Sequence, residues 1–409
     1  MTQRRFSFAA ILVICFAGAG AAADEPAWTQ KVPADKIVEW RRQIHQNPEL
    51  SFKETNTSNY VAEVLRSFGN IEVQRPAATS VLGILRGARP GKTVAFRADM
   101  DALPVQEETG LPFASTVQGV SHACGHDAHT AMLLGTAATL SKMQKDIVGT
   151  VYFIFQHAEE QDPGGSQEII KSGALRDVEA FFGMHVFSGF SAGHIGILPK
   201  GAASTTADGF SLKIQGKGSH GSMPQLGIDP VVTGAEIVIA LQTIVSRNVA
   251  PGETAVVSIG RFQAGTAPNV IPDTAELAAT IRTISEPTRQ LVAERVKTIV
   301  DSIAKAHGAT YKLDYFYSYP AVQNDPALVD LAKASAAKIL GAAQVHDVPR
   351  MPASEDFARY TDIAPSCFLE LGVGSGPANH HPKFNLDEGA LTNGVKAQVQ
   401  IILDYLNQK

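Results

Sequence analysis

The stretch "SHACGHDAHT", residues 121–130, packs His122, Cys124, His126, Asp127 and His129 into eight positions. Thiolate and imidazole are ligands for borderline divalent metals, and a cysteine two residues before a histidine can chelate. Alone the cluster decides little, because 12 histidines in 409 residues will sometimes crowd together. Its meaning depends on whether other ligands lie where a fold would bring them.

The elements that would position such ligands are legible from about residue 30 to 195. Ile37, Trp40 and Ile44 fall on one helical face, and Tyr60, Val61, Val64, Leu65 and Phe68 on another. Between and after them come the apolar segments "KTVAFRAD", "GTVYFIFQ" and "EAFFGMHV". An unbroken run such as "VYFIF" is expected of a strand buried on both faces. The expectation is an α/β domain with a mainly parallel central sheet and helices on both faces. In such sheets ligands bind beyond the carboxyl ends of the strands. Those ends are rich here: Asp99 and Asp101 follow "VAFRA", Glu159 and Glu160 follow "VYFIFQHA", His185 follows "EAFFGM", and His380 and His381 follow the last strand, "SCFLELGV". The opening cluster precedes a helix, "HTAMLLGTAATL", for which Asp127 is the expected N-cap.

Taken singly, a carboxylate after a strand is often only solvated, and a histidine near an apolar strand is usually core or surface. Convergence on one sheet edge is what argues for chemistry. Cys124, His126, one of the two glutamates, His185 and one of His380 and His381 overfill a single zinc-like site. They suit two divalent ions ~3.5–4 Å apart with a bridging group, and a thiolate can bridge. Such a pair makes hydroxide from water near neutral pH and polarises a carbonyl, while the spare glutamate carries a proton to a leaving amine.

From about 205 to 285 the texture changes. Phe210, Leu212 and Ile214 alternate with polar residues, as do Ala275, Leu277, Ala279 and Ile281, with the apolar-striped helix "DPVVTGAEIVIALQTIVSRN" between. Alternation means strands with one wet face, hence an antiparallel sheet. After about 312 the first texture resumes. A smaller α+β domain, 201–311, is therefore expected to interrupt a larger one made of 24–200 and 312–409. The net charge of −5, without a basic stripe, gives no sign of nucleic-acid binding, and 44% hydrophobic residues suit a sizeable core.

With these motifs in view, the sequence resembles the metal-dependent amidohydrolases that include hippurate hydrolases, N-acyl-amino-acid aminoacylases and auxin-conjugate hydrolases, in a clan with metallo-carboxypeptidases and deacetylases. The resemblance spans nearly the whole mature chain, through "RRQIHQNPELSFKE", "FRADMDALPVQEETGLPFAS", "HACGHDAHT", "AEE", "GMHV", "GSHGSMPQLGIDPV", "AGTAPNVIPDTAELAATIRT" and "HHPKFNLDEGAL". It implies metal ligation by Cys124, His126, Glu160, His185 and His380, with Glu159 as general acid/base and Asp101 orienting a ligating histidine. It makes the inserted domain a lid that mediates dimerisation in many members. There His220 would stabilise the tetrahedral intermediate, often from the partner subunit, and Asn269 and Arg282 would hold the substrate carboxylate. Two departures stand out: His157 replaces a proline before "AEE", and His381 replaces a small polar residue after the last ligand. The implied activity is hydrolysis of N-acyl amino acids with two divalent ions, which could be zinc, manganese, cobalt or nickel. The rivals are a carboxypeptidase or dipeptidase using the same site, and a non-catalytic periplasmic binding protein. A binding protein has no need of an unliganded Glu159 beside a ligand.

The start, "MTQRRFSFAAILVICFAGAGAAADEP", has a basic region, a short apolar run and "AAA" before Asp24, the pattern of a secretory signal cleaved after Ala23. The run falls short of the ~20 residues needed to span a membrane. No other stretch reads as a span, so the mature protein is expected to be periplasmic or secreted. Cys15 leaves with the signal; Cys124 reads as a thiolate ligand and Cys367 as core. N-terminal sequencing of exported protein should give a chain beginning near Asp24, and material that still begins at Met1 would refute the cleavage.

Overall fold

The apolar runs form the middle of an eight-stranded sheet in the computed structural model, which describes residues 25–408. The expected signal segment, 1–23, lies outside the described residues. Four neighbouring strands, Val148–Gln156, Arg89–Asp99, Ala180–Phe187 and Ser366–Gly372, are mutually parallel. Antiparallel pairing appears only towards the edges, where Val81–Arg86 joins Val148–Gln156 and Ile195–Ile197 joins Ser366–Gly372. The parallel strands are buried on both faces, as continuous apolar runs require. Their carboxyl ends therefore point to one edge, and the residues that follow them gather there.

Helices cover both faces. The helix His126–Ser141 is buried from His126 to Leu140, as a helix apolar on every side must be. Helices Ala34–Gln46 and Ala390–Leu406 pack against it. The fit is close: a Cβ on Gly135 would lie 2.8 Å from the Ile37 side chain. Asp127 is not the cap of this helix. Gly125 holds the cap position with φ 96°, a conformation that favours glycine, and the helix starts at His126. Asp127 instead lies in the first turn, fully buried, where its Oδ2 accepts hydrogen bonds from Arg41 Nε and His45 Nδ1, each at 2.7 Å. This triad ties the first helix to the segment that carries Cys124 and His126.

The interrupting domain is a four-stranded antiparallel sheet in the order Ala255–Ala264, Thr274–Thr283, Asp208–Gln215, Thr310–Tyr317. Helices Pro230–Thr243 and Glu286–Ala306 pack on it, and Phe210, Leu212, Ile214, Ala275, Leu277 and Ile281 form its core with residues of these helices. The expected boundary at 311/312 needs correction. Thr310–Tyr317 pairs along its whole length with Asp208–Gln215, because Tyr311, Leu313 and Tyr315 continue the one-sided alternation. The chain enters and leaves through adjacent segments: Gly201–Ala202 pairs with Gln323–Asn324, and Ala203 N donates to Val322 O at 2.8 Å.

A further difference concerns membrane spans. Pro230–Asn248, 19 residues, is by length and composition apolar enough to cross a membrane. Here it lies on the lid sheet through Ile237, Leu241 and Ile244, while Val231, Val232, Ile239 and Val245 stay exposed.

The Arg41–Asp127–His45 triad generates a stability prediction. Burial raises the Asp127 carboxyl, but Arg41 and then His45 outweigh it and hold the group far below the ordinary carboxylate range. Its folded pKa is thus below its unfolded one, so its contribution is complete above about pH 4 and is lost as pH falls towards the folded value. Asp127→Asn leaves buried Arg41 with only its longer contact to Glu388 Oε1, 3.2 Å, and should cost about 3 kcal/mol at neutral pH in urea unfolding. The gap from wild type should narrow in strong acid. A variant within about 0.5 kcal/mol of wild type would sink this reading.

Candidate metal centre and catalytic cavity

The ligating atoms expected from sequence converge. Cys124 Sγ lies 3.4 Å from His185 Nε2 and 3.3 Å from His380 Nε2. His380 Nε2 is in turn 3.3 Å from Glu160 Oε1, and His126 Nε2 is 3.8 Å from that same oxygen. Two sets of three ligating atoms therefore share the cysteine: Cys124, His126 and His185 on one side, Cys124, Glu160 and His380 on the other. His126 Nε2 and Glu160 Oε1 are buried with no hydrogen-bond partner among the described residues. Unpaired buried polar atoms aimed at one another are costly unless a cation completes them. The donor set therefore fits two divalent ions, with Cys124 common to both groups of residues that would hold them.

Neighbouring groups set the ring orientations. His185 Nδ1 donates to Val186 O at 2.8 Å, which leaves Nε2 bare towards Cys124. Burial and the nearby His129 push the His185 imidazole well below its ordinary range, so it stays neutral, as a ligand must. Asp101 does more than orient a histidine. Its Oδ1 is 3.3 Å from His126 Nδ1, and its two oxygens accept the backbone N–H groups of Glu159 and Glu160, each at 3.0 Å. One carboxylate thus ties a ligating histidine to the glutamate pair. Burial pulls the His126 imidazole down, but Asp99, Asp101 and Glu160 outweigh it and lift it to about 10. Burial, then Glu160 and Glu159, hold the Cys124 thiol well above its usual range. Loading of ions must expel protons from both.

The backbone is bent to suit. Ala158 and His380 have φ of 51° and 70°, and both flank site residues. Non-glycine residues in this region persist where surrounding contacts hold them, and such contacts are present: Ala158 N donates to Glu54 Oε1 and His380 N to Ala123 O. His381 is exposed, its Nδ1 accepting from Lys383 N, and it joins no ligand set; His380 is the histidine in place. His157 also points elsewhere, to Ser80 Oγ and Glu168.

Glu159 lies beside this cluster in a cavity of about 320 Å³, which Cys124, Glu160, His185, His380 and Arg282 also line. Phe187, Tyr319, Met351, Pro352 and Ala353 supply its less polar wall. Burial, then Glu355 and Glu160, raise the Glu159 carboxyl well above its ordinary range. Tyr319 Oη donates to Glu159 O at 2.9 Å and fixes its main chain. Of the three lid residues, only Arg282 reaches the cavity in the same chain. His220 and Asn269 sit together on an exposed ribbon, where Val270 pairs with His220 and Gly221 N donates to Asn269 O at 2.8 Å.

Several residues beneath the site escaped sequence reasoning. Arg97, 3% exposed, contacts Asp99 and Asp356 at 2.7 Å and Glu355 at 3.0 Å. His129 Nδ1 donates to Asp99 Oδ1 at 2.6 Å while its Nε2 accepts from Val186 N. Asn379 Nδ2 donates to Cys124 O and Val186 O. An arginine and a glutamine inside the apolar runs "VAFRAD" and "VYFIFQ" were the available signal, since polar groups buried in parallel strands need partners.

Cys124→Ser tests the shared ligand. It should lose bound metal and activity together, and wild-type metal affinity should fall with acidification as the displaced protons compete. Two ions per chain retained by the serine variant, by elemental analysis, would remove Cys124 from the ligand set.

Known proteins match this arrangement. The sequence profile of peptidase family M20/M25/M40 matches residues 95–404. An N-acyl-L-amino acid amidohydrolase of Geobacillus stearothermophilus is 48% identical over 70% of this chain and 78% of its own. An N-acetylcysteine deacetylase of Bacillus subtilis is 42% identical over 87% and 93%. A crystal structure of a Bacillus subtilis dinuclear metal-binding peptidase of the M20 family, 38% identical, superposes with a TM-score of 0.81 over 92% of this chain and 99% of its own. The chain belongs to peptidase family M20/M25/M40.

Proposed function

We propose that this protein is an exported, dinuclear metal-dependent hydrolase of the amide bond in N-acyl amino acids. The observation that carries this is the raised, buried carboxyl of Glu159 beside a double ligand set built on Cys124. The amidohydrolase and deacetylase names of the relatives support the same substrate class. Cys124, His126, Glu160, His185 and His380 would hold two divalent ions of the zinc, manganese, cobalt or nickel kind. When bound they supply Lewis-acid charge to the amide oxygen and lower the pKa of water. Glu159 takes the proton of the attacking water and delivers it to the departing amine nitrogen. Arg282 Nη1 is steadied by Thr280 Oγ1 and Ile281 O, and its charge offers a seat for the substrate carboxylate. The acyl group would rest on Phe187 and Met351.

His220 and Asn269 would complete the site from a partner subunit, with His220 donating to the oxyanion. The exposed apolar residues of the lid helix, Val231, Val232, Ile239 and Val245, support a homodimer through the lid. Export rests on the sequence of residues 1–23. A second reading, carboxypeptidase action, is favoured by a thermostable carboxypeptidase 1 of Saccharolobus solfataricus, 40% identical over 91% of this chain and 96% of its own.

A screen of metal-loaded protein on hippurate, N-acetyl amino acids and dipeptides separates the two: preference for dipeptides would overturn the proposal. Glu159→Gln should keep its metal and lose about 10⁴-fold or more in kcat, with little change in KM, because the same group serves twice per turnover. Glu160→Gln should lose metal. Should Glu159→Gln keep most of its kcat, or shed metal in place of Glu160→Gln, the two roles are wrongly divided.

A further inference from the structure

One acid outside the catalytic cavity is buried with nothing to pair with. Glu370 lies in the central strand Ser366–Gly372 and is 6% exposed. Its carboxylate meets no hydrogen-bond donor or cation among the described residues. Gly196 makes room for it: a Cβ there would lie 3.1 Å from both Glu370 Cβ and a Val348 methyl. Glu370 lines a hollow of about 460 Å³ with Phe190, Val348, Pro349, His194 and His346. No lining residue is shared with the catalytic cavity. The two imidazoles are parallel within 5°, and His194 Nδ1 is 2.8 Å from His346 Nε2.

Burial raises the Glu370 carboxyl to about 7, so above that pH it ionises where no fixed cation faces it. Among the described residues no lysine or arginine lines the hollow, and the two histidines there pair with each other, so a full counter-charge for the ionised acid is left to a ligand. A divalent metal suits it poorly, since no three ligating atoms converge here among the described residues. Phe190, Val348 and Pro349 instead offer a surface for hydrocarbon, and an aromatic face attracts an organic cation.

We infer that this hollow binds a small organic amine as its ammonium ion. The ammonium sits on Glu370, the hydrocarbon body lies against Phe190, Val348 and Pro349, and the histidine pair accepts a further N–H at the mouth. With no arginine or lysine present, a free amino acid would bring its own carboxylate towards Glu370 uncompensated. The site therefore selects amines without a carboxylate.

Isothermal titration of the metal-loaded protein with benzylamine, at about pH 8 where both charges are present, tests this. Saturable binding with a dissociation constant of about 1 mM or tighter is expected. Glu370→Gln should weaken it about tenfold or more, and so should Val348→Trp, which fills the hollow while leaving the acid in the chain. Phenylalanine also has a seat at Arg282, so its binding at the hollow is read as the part that Val348→Trp removes, and this should be about tenfold weaker than for benzylamine. The inference falls if wild type shows no binding at about 10 mM benzylamine, if both variants bind as wild type does, or if phenylalanine binding lost in Val348→Trp is as tight as that of benzylamine. Zinc titration that saturates a third ion, is lost in His194→Ala and is untouched by benzylamine would assign the hollow to a metal and overturn the amine.

Discussion

Buried negative charge is the constraint around which this molecule is built. Arg97 is a cation inside the sheet, and Asp99, Glu355 and Asp356 crowd it at 2.7–3.0 Å. Asp101, Glu159 and Glu160 lie just beyond, on the side of the cavity. One guanidinium cannot neutralise so many acids. Protons remain on some: burial raises Glu355 to about 8, even though Arg97 beside it pulls the other way. The same excess makes the edge of the sheet a strong attractor for divalent cations, and it raises the proton affinity of Glu159 beside them, as a group that must take up and then release a proton requires. Ligand placement and proton chemistry thus share one electrostatic cause.

Much of this was legible because parallel strands leave a strong trace. Long apolar runs announced the central strands, and the acids and histidines after them had to meet on one edge. Cys124, His126, Glu160, His185 and His380 are separated by up to 256 positions, yet each follows or flanks an element the periodicity exposes. What stayed hidden depends on pairing across the fold. Nothing local in "RRQIH" tells that Arg41 and His45 will close on Asp127, more than 80 residues away. Asp127 looked like a cap since it sits near a helix start, but left-handed Gly125 already ends the loop one residue before His126. The lid boundary slipped for a related reason. Thr310–Tyr317 alternates weakly, its inward tyrosines half-buried, and only pairing with Asp208–Gln215 shows where it belongs.

The two halves of the polar machinery are built on different principles. The metal-side residues are locked from behind, through Asp101 on the glutamate backbones, Val186 O on His185 and Asp99 on His129. Such backing fixes direction to a fraction of an ångström. His220 and Asn269 ride on a two-residue ribbon at the lid surface, and the support of His220 is local, its Nδ1 accepting from Ser222 N at 3.1 Å within the same exposed loop. Rigidity is concentrated where charge must be aligned, and the lid carries groups whose positions depend on what it meets.

The way the lid is joined to the rest has an evolutionary reading. Gly201–Ala202 and Gln323–Asn324 are paired neighbours, so the whole insert hangs from two adjacent backbone points. Cutting it out would leave two chain ends already held side by side, close enough for a short turn to join them. The remaining sheet would keep its strand order and every metal-side residue named above, and would lose Arg282, His220 and Asn269. Such a joint lets one lid be exchanged for another without disturbing the metal centre. Lineages built on this plan are free to change what they recognise by swapping a module, while the acids around Arg97 stay as they are.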